Sequence, residues 1–201
     1  IGHTRFETTN NAVYSVISDL SGIEVKLSGI DGYPNGYEFQ KIDANTLQTD
    51  GYKAVAEMMN GVSDKTGIKV KVNNTQIFSD AVSAGTVQGL AINGVMIGNI
   101  KMQANDADNA LIGAINAKKD ETGVEASLDN GRLVLAAKDG RAIRIGAFSE
   151  SAKYLGAGQN LSGASAASGQ ALASAGVVFL GQITFVRQDA RDIKVGLDGL
   201  S

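Results

Sequence analysis

Displacing the chain by 56 residues lays Gly67 on Gly123 and brings Ala54 onto Ala110, Val55 onto Leu111, Met59 onto Ile115, Asn60 onto Asn116, Asp64 onto Asp120 and Thr66 onto Thr122. A match of this kind means that one supersecondary unit is used twice, so any fold of the chain must hold two copies of it. In the first copy, Val55, Met58, Met59 and Val62 recur three or four apart between Tyr52 and Asp64, the stripe of an amphipathic helix. Gly67 supplies a stop, after which Ile68, Val70 and Val72 alternate with Lys69 and Lys71 as in a half-buried strand. In the second copy a strand from Gly89 to Ile100 turns at Asn93-Gly94. A helix from about Asp106 to Lys119 follows, its acidic start matching the helix dipole, and Val124, Ala126 and Leu128 form the next strand.

The flanks are strands and turns. Ile23, Val25 and Leu27 alternate with polar neighbours, Asp31-Gly32 and Asn35-Gly36 reverse the chain around Pro34, and Tyr37 to Ile42 returns. Asn130-Gly131 leads to Leu133 and Leu135, and Asp139-Gly140 to Ile143 and Ile145. Val177 to Val186 and then Ile193 with Val195 give two more strands, turned at residues 188–191. Between Ala147 and Gly176 most residues are Ser, Gly or Ala, which predicts a long surface loop. The fold class expected is α+β: mostly antiparallel β hairpins with two repeated strand-helix-strand units, helices packed on sheet. Three regions are expected. Residues 1–78 form an outer subdomain with the first repeat, 79–150 the second repeat, and 151–201 the small-residue loop and returning strands that complete the first subdomain.

Composition removes several chemistries. There is no cysteine, so a disulfide framework, a thiolate metal site and a thiol nucleophile are excluded. A net charge of -3, with Lys and Arg scattered, argues against a nucleic-acid footprint or a basic membrane patch. No apolar run approaches the roughly 20 residues of a membrane span, and Val177-Val178-Phe179-Leu180 is strand-sized. Starting at Ile1 without a leader, the sequence reads as a piece excised from something longer.

Individual site candidates have plainer readings beside them. His3 is the single histidine, so a Ser-His-Asp triad would rest on it alone. Asp106 and Asp108 resemble the start of a calcium loop, but the sixth position lacks Gly and the twelfth is Ala117, so an acidic first helical turn is expected instead. Gly156-Ala157-Gly158 has Leu161 where a dinucleotide loop needs its third Gly. Glu7, Asp19, Glu24 and Asp31 carry no glycosidase spacing and read as surface acids, and Met58 and Met59 as helix stripe packed on sheet. Asn73-Asn74-Thr75 and Asn160-Leu161-Ser162 are N-glycosylation patterns of a length that arises by chance. Exposed loop hydroxyls are accessible to a glycosyltransferase, which makes Ser149, Ser151, Ser162, Ser165, Ser168 and Ser174 candidates for O-linked sugar, against plain solvated serines. No cofactor, metal or catalytic residue is expected.

Three stretches carry a resemblance: Ala91-Ile92-Asn93-Gly94-Val95-Met96-Ile97-Gly98, Asn109-Ala110-Leu111-Ile112-Gly113-Ala114-Ile115-Asn116 and Thr122-Gly123-Val124-Glu125-Ala126-Ser127. They resemble the flagellin IN motif, with Ile92, Asn93, Gly94, Ala114, Ile115, Asn116, Thr122 and Gly123 as motif positions. The segments Ile1 to Thr8, Asp139 to Ile143 and Asp189 to Ile193 resemble the same region of flagellins from epsilon-proteobacteria.

That resemblance implies the outer, surface-exposed part of a flagellar filament subunit: structural rather than enzymatic, exported through the flagellar type III channel, and located in the extracellular filament. It implies other flagellin subunits as partners, joined through helical ends this chain lacks, with host antibodies or receptors as further partners and no nucleic acid or membrane. The fragment itself is then monomeric, with Ile1 near Ser201. The alternatives are an outer domain of a flagellar cap or hook-associated protein, or a glycan-binding adhesin, the latter at odds with an aromatic content of 5%.

Overall fold

Alternating apolar and polar residues, glycine-marked turns and two short amphipathic helices organise the chain as antiparallel sheets with helices laid against them. The computed structural model describes residues 4–7, 13–14, 22–148, 151–156, 165–166, 177–187 and 193–198. Its strands are β1 (Thr4–Glu7), β2 (Val13–Tyr14), β3 (Glu24–Ser28), β4 (Tyr37–Glu38), β5 (Ile68–Ala81), β6 (Gly85–Ile92), β7 (Val95–Met102), β8 (Glu125–Asp129), β9 (Arg132–Ala137), β10 (Ile143–Phe148), β11 (Ser165–Ala166), β12 (Val177–Phe179), β13 (Gln182–Arg187) and β14 (Lys194–Asp198). The helices are α1 (Ala44–Asp50), α2 (Tyr52–Asn60), α3 (Ser63–Thr66), α4 (Ala110–Asn116) and α5 (Lys119–Thr122). The fold is α+β, as the sequence predicts.

Three sheets run β1-β13-β5-β9-β8, β2-β12-β10-β6-β7 and β14-β3-β4. The short β11 adds to β10 in parallel, with Ala147 opposite Ser165. One core gathers Leu111 and Ile115 of α4 with Phe78, Leu90, Ile92, Leu133, Leu135, Ile143 and Ile145; the other gathers Leu47 of α1 and Val55 and Met59 of α2 with Ile23, Leu27, Ile68 and Phe185.

Two strands bind the cores together. Along β5, Ile68 to Asn73 pairs with β13, whereas Asn74 onward pairs with β9. The expected boundary between residues 78 and 79 therefore falls inside a continuous strand. Along β12, Val177 and Phe179 enter the first core while Val178, followed by Leu180, enters the second. The Val177-Val178-Phe179-Leu180 run is thus a wall buried on both faces, as suits an unalternated apolar strand.

Both repeat units are realised, with shifted ends. Each expected single helix is two: α2 stops at Asn60 and α3 follows, and α4 stops at Asn116 and α5 follows. Both copies end on a left-handed glycine, Gly67 at φ 73° and Gly123 at φ 74°, the conformation of a glycine C-cap. Rather than beginning at Asp106, α4 begins at Ala110, after a 3-10 turn over Ala104–Asp106.

The copies diverge where Asn74-Thr75 of the first aligns with Asn130-Gly131 of the second. With φ 51° and 78°, Asn130-Gly131 makes a two-residue reversal into β9; Thr75, β-branched, keeps β5 extended.

Helix α1 was not evident from periodicity, because Leu47 is its single buried residue. Its start is marked instead by Asp43, whose carboxylate accepts from Thr46 N at 2.8 Å, the role of an N-cap. The small-residue segment also departs from a plain surface loop at its beginning: Ser151–Leu155 forms a 3-10 turn whose Ala152 and Leu155 are buried in the first core. Residues 151–155 therefore pack with the second repeat rather than completing the first subdomain.

Candidate functional site: backbone clamps and the Asn93 junction

The conserved spacing between the two copies has a chemical content. Asn60 donates from Nδ2 to Val70 O at 2.9 Å and accepts at Oδ1 from Val70 N at 2.8 Å. Asn116 makes the same pair with Ala126, at 2.9 and 2.7 Å. Each side chain satisfies a strand N–H and C=O that have no partner strand on that side among the described residues, since β8 is an edge there and β9 does not reach the first half of β5. The preceding turn is held alike. Thr66 Oγ1 accepts from Ile68 N at 3.2 Å, and Thr122 Oγ1 from Val124 N at 3.0 Å, both threonines buried.

Asn93 ties three segments. With φ 52° it begins the β6–β7 turn completed by Gly94 at φ 79°. Its Nδ2 donates to Thr122 O at 2.8 Å, its Oδ1 accepts from Arg144 N at 2.8 Å, and its own N–H donates to Arg144 O at 2.9 Å. The neighbouring Ile92 and Ile115 are fully buried in one core, while Ala114 packs against it half-buried. The motif positions thus fall into three roles: core packing, backbone clamping and, at Gly94 and Gly123, the positive-φ backbone of a turn and a helix cap.

Beside this turn Arg141 ties the Asp139 turn to the end of α5. Its Nε donates to Asp139 Oδ2 at 2.9 Å and its Nη2 to the same oxygen at 2.7 Å, while Nη1 donates to Thr122 O at 3.3 Å. Lys53 of α2 pairs with Asp139 at 3.4 Å. The Arg141 hydrogen bonds are the main reason the Asp139 carboxyl is held down at about 2; by the same pairing the Arg141 guanidinium is raised. Gly123 leaves room for this arginine, because a Cβ there would overlap the guanidinium carbon.

Buried Asn74 marks the switch of β5 from one partner to the other. Its Nδ2 donates to Arg141 O at 2.8 Å and Phe179 O at 3.0 Å, and its Oδ1 accepts from Gln76 Nε2 at 2.9 Å. No periodicity argument singles it out; the signal available was an Asn in a strand that aligns with the turn-forming Asn130.

The remaining candidates are placed as follows. Ser151 is a correction: it is 4% exposed, its Oγ donates to Phe148 O at 2.7 Å and accepts from Gln88 N at 2.7 Å, so it is a structural hydroxyl closed to a glycosyltransferase. Ser165 begins β11, and Ser149, Ser162, Ser168 and Ser174 lie outside the described residues. His3, Asp19 and the Asn160-Leu161-Ser162 pattern lie outside them too. Asp106 accepts from Leu111 N at 2.9 Å and Ile112 N at 3.0 Å, so both oxygens serve the first turn of α4. Glu24 and Asp31 are exposed, and Met59 is buried on the α2 stripe with Met58 half-buried beside it. Among the described residues no three acidic or His side chains cluster as a metal site, and no helix is long and apolar enough to cross a membrane.

This clamped region coincides with a known sequence family. Residues 89–139 match the flagellin hook IN motif, a span holding the Asn93 turn, α4, α5, β8, β9 and, at its end, Asp139. Over 202 aligned positions, 97% of the chain, the sequence is 36% identical to Flagellin B of Helicobacter pylori. The chain belongs to the flagellin family.

Its likeness to other flagellins is similar in extent: 32% identity over 97% of the chain to Flagellin A of Helicobacter felis, and 38% over 71% to Flagellin A of Helicobacter mustelae. The chain spans little more than a third of the length of the first two flagellins, 37% and 36%. Among solved structures, the flagellar cap protein FliD from Helicobacter pylori aligns over 96% of this chain and 62% of its own, at 18% identity and a TM-score of 0.36, too loose a superposition to bear on fold or function.

Proposed function

We propose that this chain is a surface-displayed part of a flagellar filament subunit, a secreted structural element of the extracellular filament that supports motility and performs no catalysis. The observation that carries the reading is the 36% identity to Flagellin B sustained over 97% of the chain. The clamps support it physically. Side chains that occupy the open backbone of β8 and β5 remove the pairing sites through which exposed strands aggregate, a useful property in a domain displayed at high density.

Other flagellin subunits are the partners in this proposal, with host antibodies or receptors meeting the displayed surface, and the isolated chain is monomeric. Ser149, Ser162, Ser165, Ser168 and Ser174 remain the proposed positions for O-linked sugar.

Immunogold electron microscopy of the producing bacterium, with antibody raised to this chain, tests the reading. Label along the whole filament supports it. Label confined to the tip or the hook junction moves the assignment to a cap or hook-associated protein, and an unlabelled filament overturns both.

A further inference from the structure

Four Asn-Gly pairs stand in the sequence, at Asn35, Asn60, Asn93 and Asn130. Such a pair is chemically labile, because the nitrogen of the following residue can attack the Asn side-chain carbonyl, and a glycine there has no Cβ to obstruct the approach or restrict the backbone. Two conditions favour attack in a folded chain: an Asn amide free to swing, and a glycine N–H that is not already donated. Where either is held, hydrogen bonds must open first.

The four pairs differ in both respects. Asn60 has its amide clamped on Val70, and the N–H of Gly61 donates to Glu57 O at 3.1 Å. Asn93 has its amide held between Thr122 O and Arg144 N. Asn35 is exposed with a side chain bonded to no described residue, but the N–H of Gly36 donates to Tyr33 O at 3.0 Å. At Asn130 neither group is held: the side chain is exposed, and neither its amide nor the N–H of Gly131 makes a hydrogen bond among the described residues. Asn93-Gly94 is the internal control for this pair, since its φ values of 52° and 79° repeat the 51° and 78° of Asn130-Gly131. The same turn is therefore present once with a clamped amide and once with a free one.

We propose that Asn130 is a site of spontaneous deamidation in the folded chain, while the clamps on Asn60 and Asn93 keep those side chains intact. Gly131 N gives its proton to hydroxide and attacks Asn130 Cγ; the N–Cγ bond forms, the Cγ–Nδ2 bond breaks, and ammonia leaves with a proton from water. Water then opens the succinimide. Cleavage of the N–Cγ bond gives aspartate at 130, and cleavage of the bond from the backbone carbonyl carbon to the same nitrogen gives isoaspartate, in which the main chain runs through Cγ. Nothing is oxidised or reduced. The isoaspartate adds a main-chain carbon to the two-residue reversal between β8 and β9, displacing Gly131 O from the N–H of buried Val82, which it accepts at 2.9 Å. Conversion thus loosens the β8–β9 tip from the first core.

The test is incubation of the chain at mildly alkaline pH, folded and in urea, with conversion at each Asn-Gly pair followed by peptide mass spectrometry and total ammonia release measured alongside. In urea the four pairs are expected to convert at rates within about threefold of one another, since no fold distinguishes them. In the folded chain Asn130 is expected to convert at least about tenfold faster than Asn60 and Asn93, with Asn35 between. Asn130→Asp, which keeps a residue tolerant of positive φ in the turn, is expected to remove most of the ammonia released by the folded chain. Conversion at Asn35, Asn60 or Asn93 as fast as at Asn130 in the folded chain overturns the proposal. So does an intact Asn130 in the folded chain over a time that converts it in urea, or ammonia release that Asn130→Asp leaves unchanged.

Discussion

Asn60 and Asn116 grip the backbone ten residues ahead of them in the same way, each donating to a carbonyl and accepting from an N–H of one residue, Val70 in the first copy and Ala126 in the second. The repeat is therefore preserved at the level of individual hydrogen bonds, even though the strands that follow go to different partners.

Removing either amide leaves a strand N–H and C=O unpaired at a partly buried edge. Asn60→Ala and Asn116→Ala are each expected to lose about 1–3 kcal/mol, measured by urea unfolding. Light scattering of the folded variants is expected to rise as well, because the opened edges offer pairing sites. An unchanged midpoint for either variant contradicts the clamp role.

The Asp139 pair makes stability depend on pH. Its carboxyl, normally at 3.8, is held at about 2 by the Arg141 hydrogen bonds first, so the folded chain binds this proton less readily than the unfolded chain does. The contribution is complete above the unfolded value near ~4 and disappears as pH falls through about 2. With the side chain 35% exposed, solvent screening reduces it to about 1 kcal/mol. Chemical unfolding at pH 5 and at pH 2.5 is expected to show that the wild type loses most of this margin and Asp139→Asn does not; parallel losses contradict the assignment.

Gly67 and Gly123 share a left-handed backbone but not a neighbourhood. Gly67→Ala meets nothing within 4 Å and is expected to lose about 1 kcal/mol from backbone strain. Gly123→Ala carries the same strain and also displaces Arg141 from Thr122 O and Asp139, adding about 1 kcal/mol more. Thermal unfolding of the two variants compares them directly, and equal losses remove Arg141 from the account.

Because β5 and β12 supply side chains to both cores, the described structure is expected to unfold as one unit. Leu47→Ala empties space in one core and Leu111→Ala in the other, each with an expected loss of about 2–5 kcal/mol. Calorimetry is expected to show a single transition that moves for both variants. Two transitions, with each variant shifting only one, would separate the halves.

Much of the fold was legible because period and turn chemistry are local. The alternation from Ile68 to Val72, the Met59 and Ile115 stripes, and the reversals at Asn93-Gly94 and Asn130-Gly131 all appear as read. Short elements were not legible: α1 exposes its signal only through the Asp43 cap, and a 3-10 turn over Ser151–Leu155 is hidden among small residues whose burial depends on distant partners. Ser151 shows the limit for the site. Its type and setting suit an exposed loop hydroxyl, yet Phe148 O and Gln88 N close around it.

By itself the sequence determined the twofold unit, its antiparallel α+β character and its kinship with flagellins, since these rest on spacing within short windows and on the match of motifs in order. Tertiary structure alone decided that Asn74 is a buried switch while its counterpart Asn130 is a turn, that β12 walls two cores, and that Arg141 belongs to Asp139. Each of those outcomes depends on which distant backbone groups lack a partner, and that is settled only when strands far apart in the chain come into register.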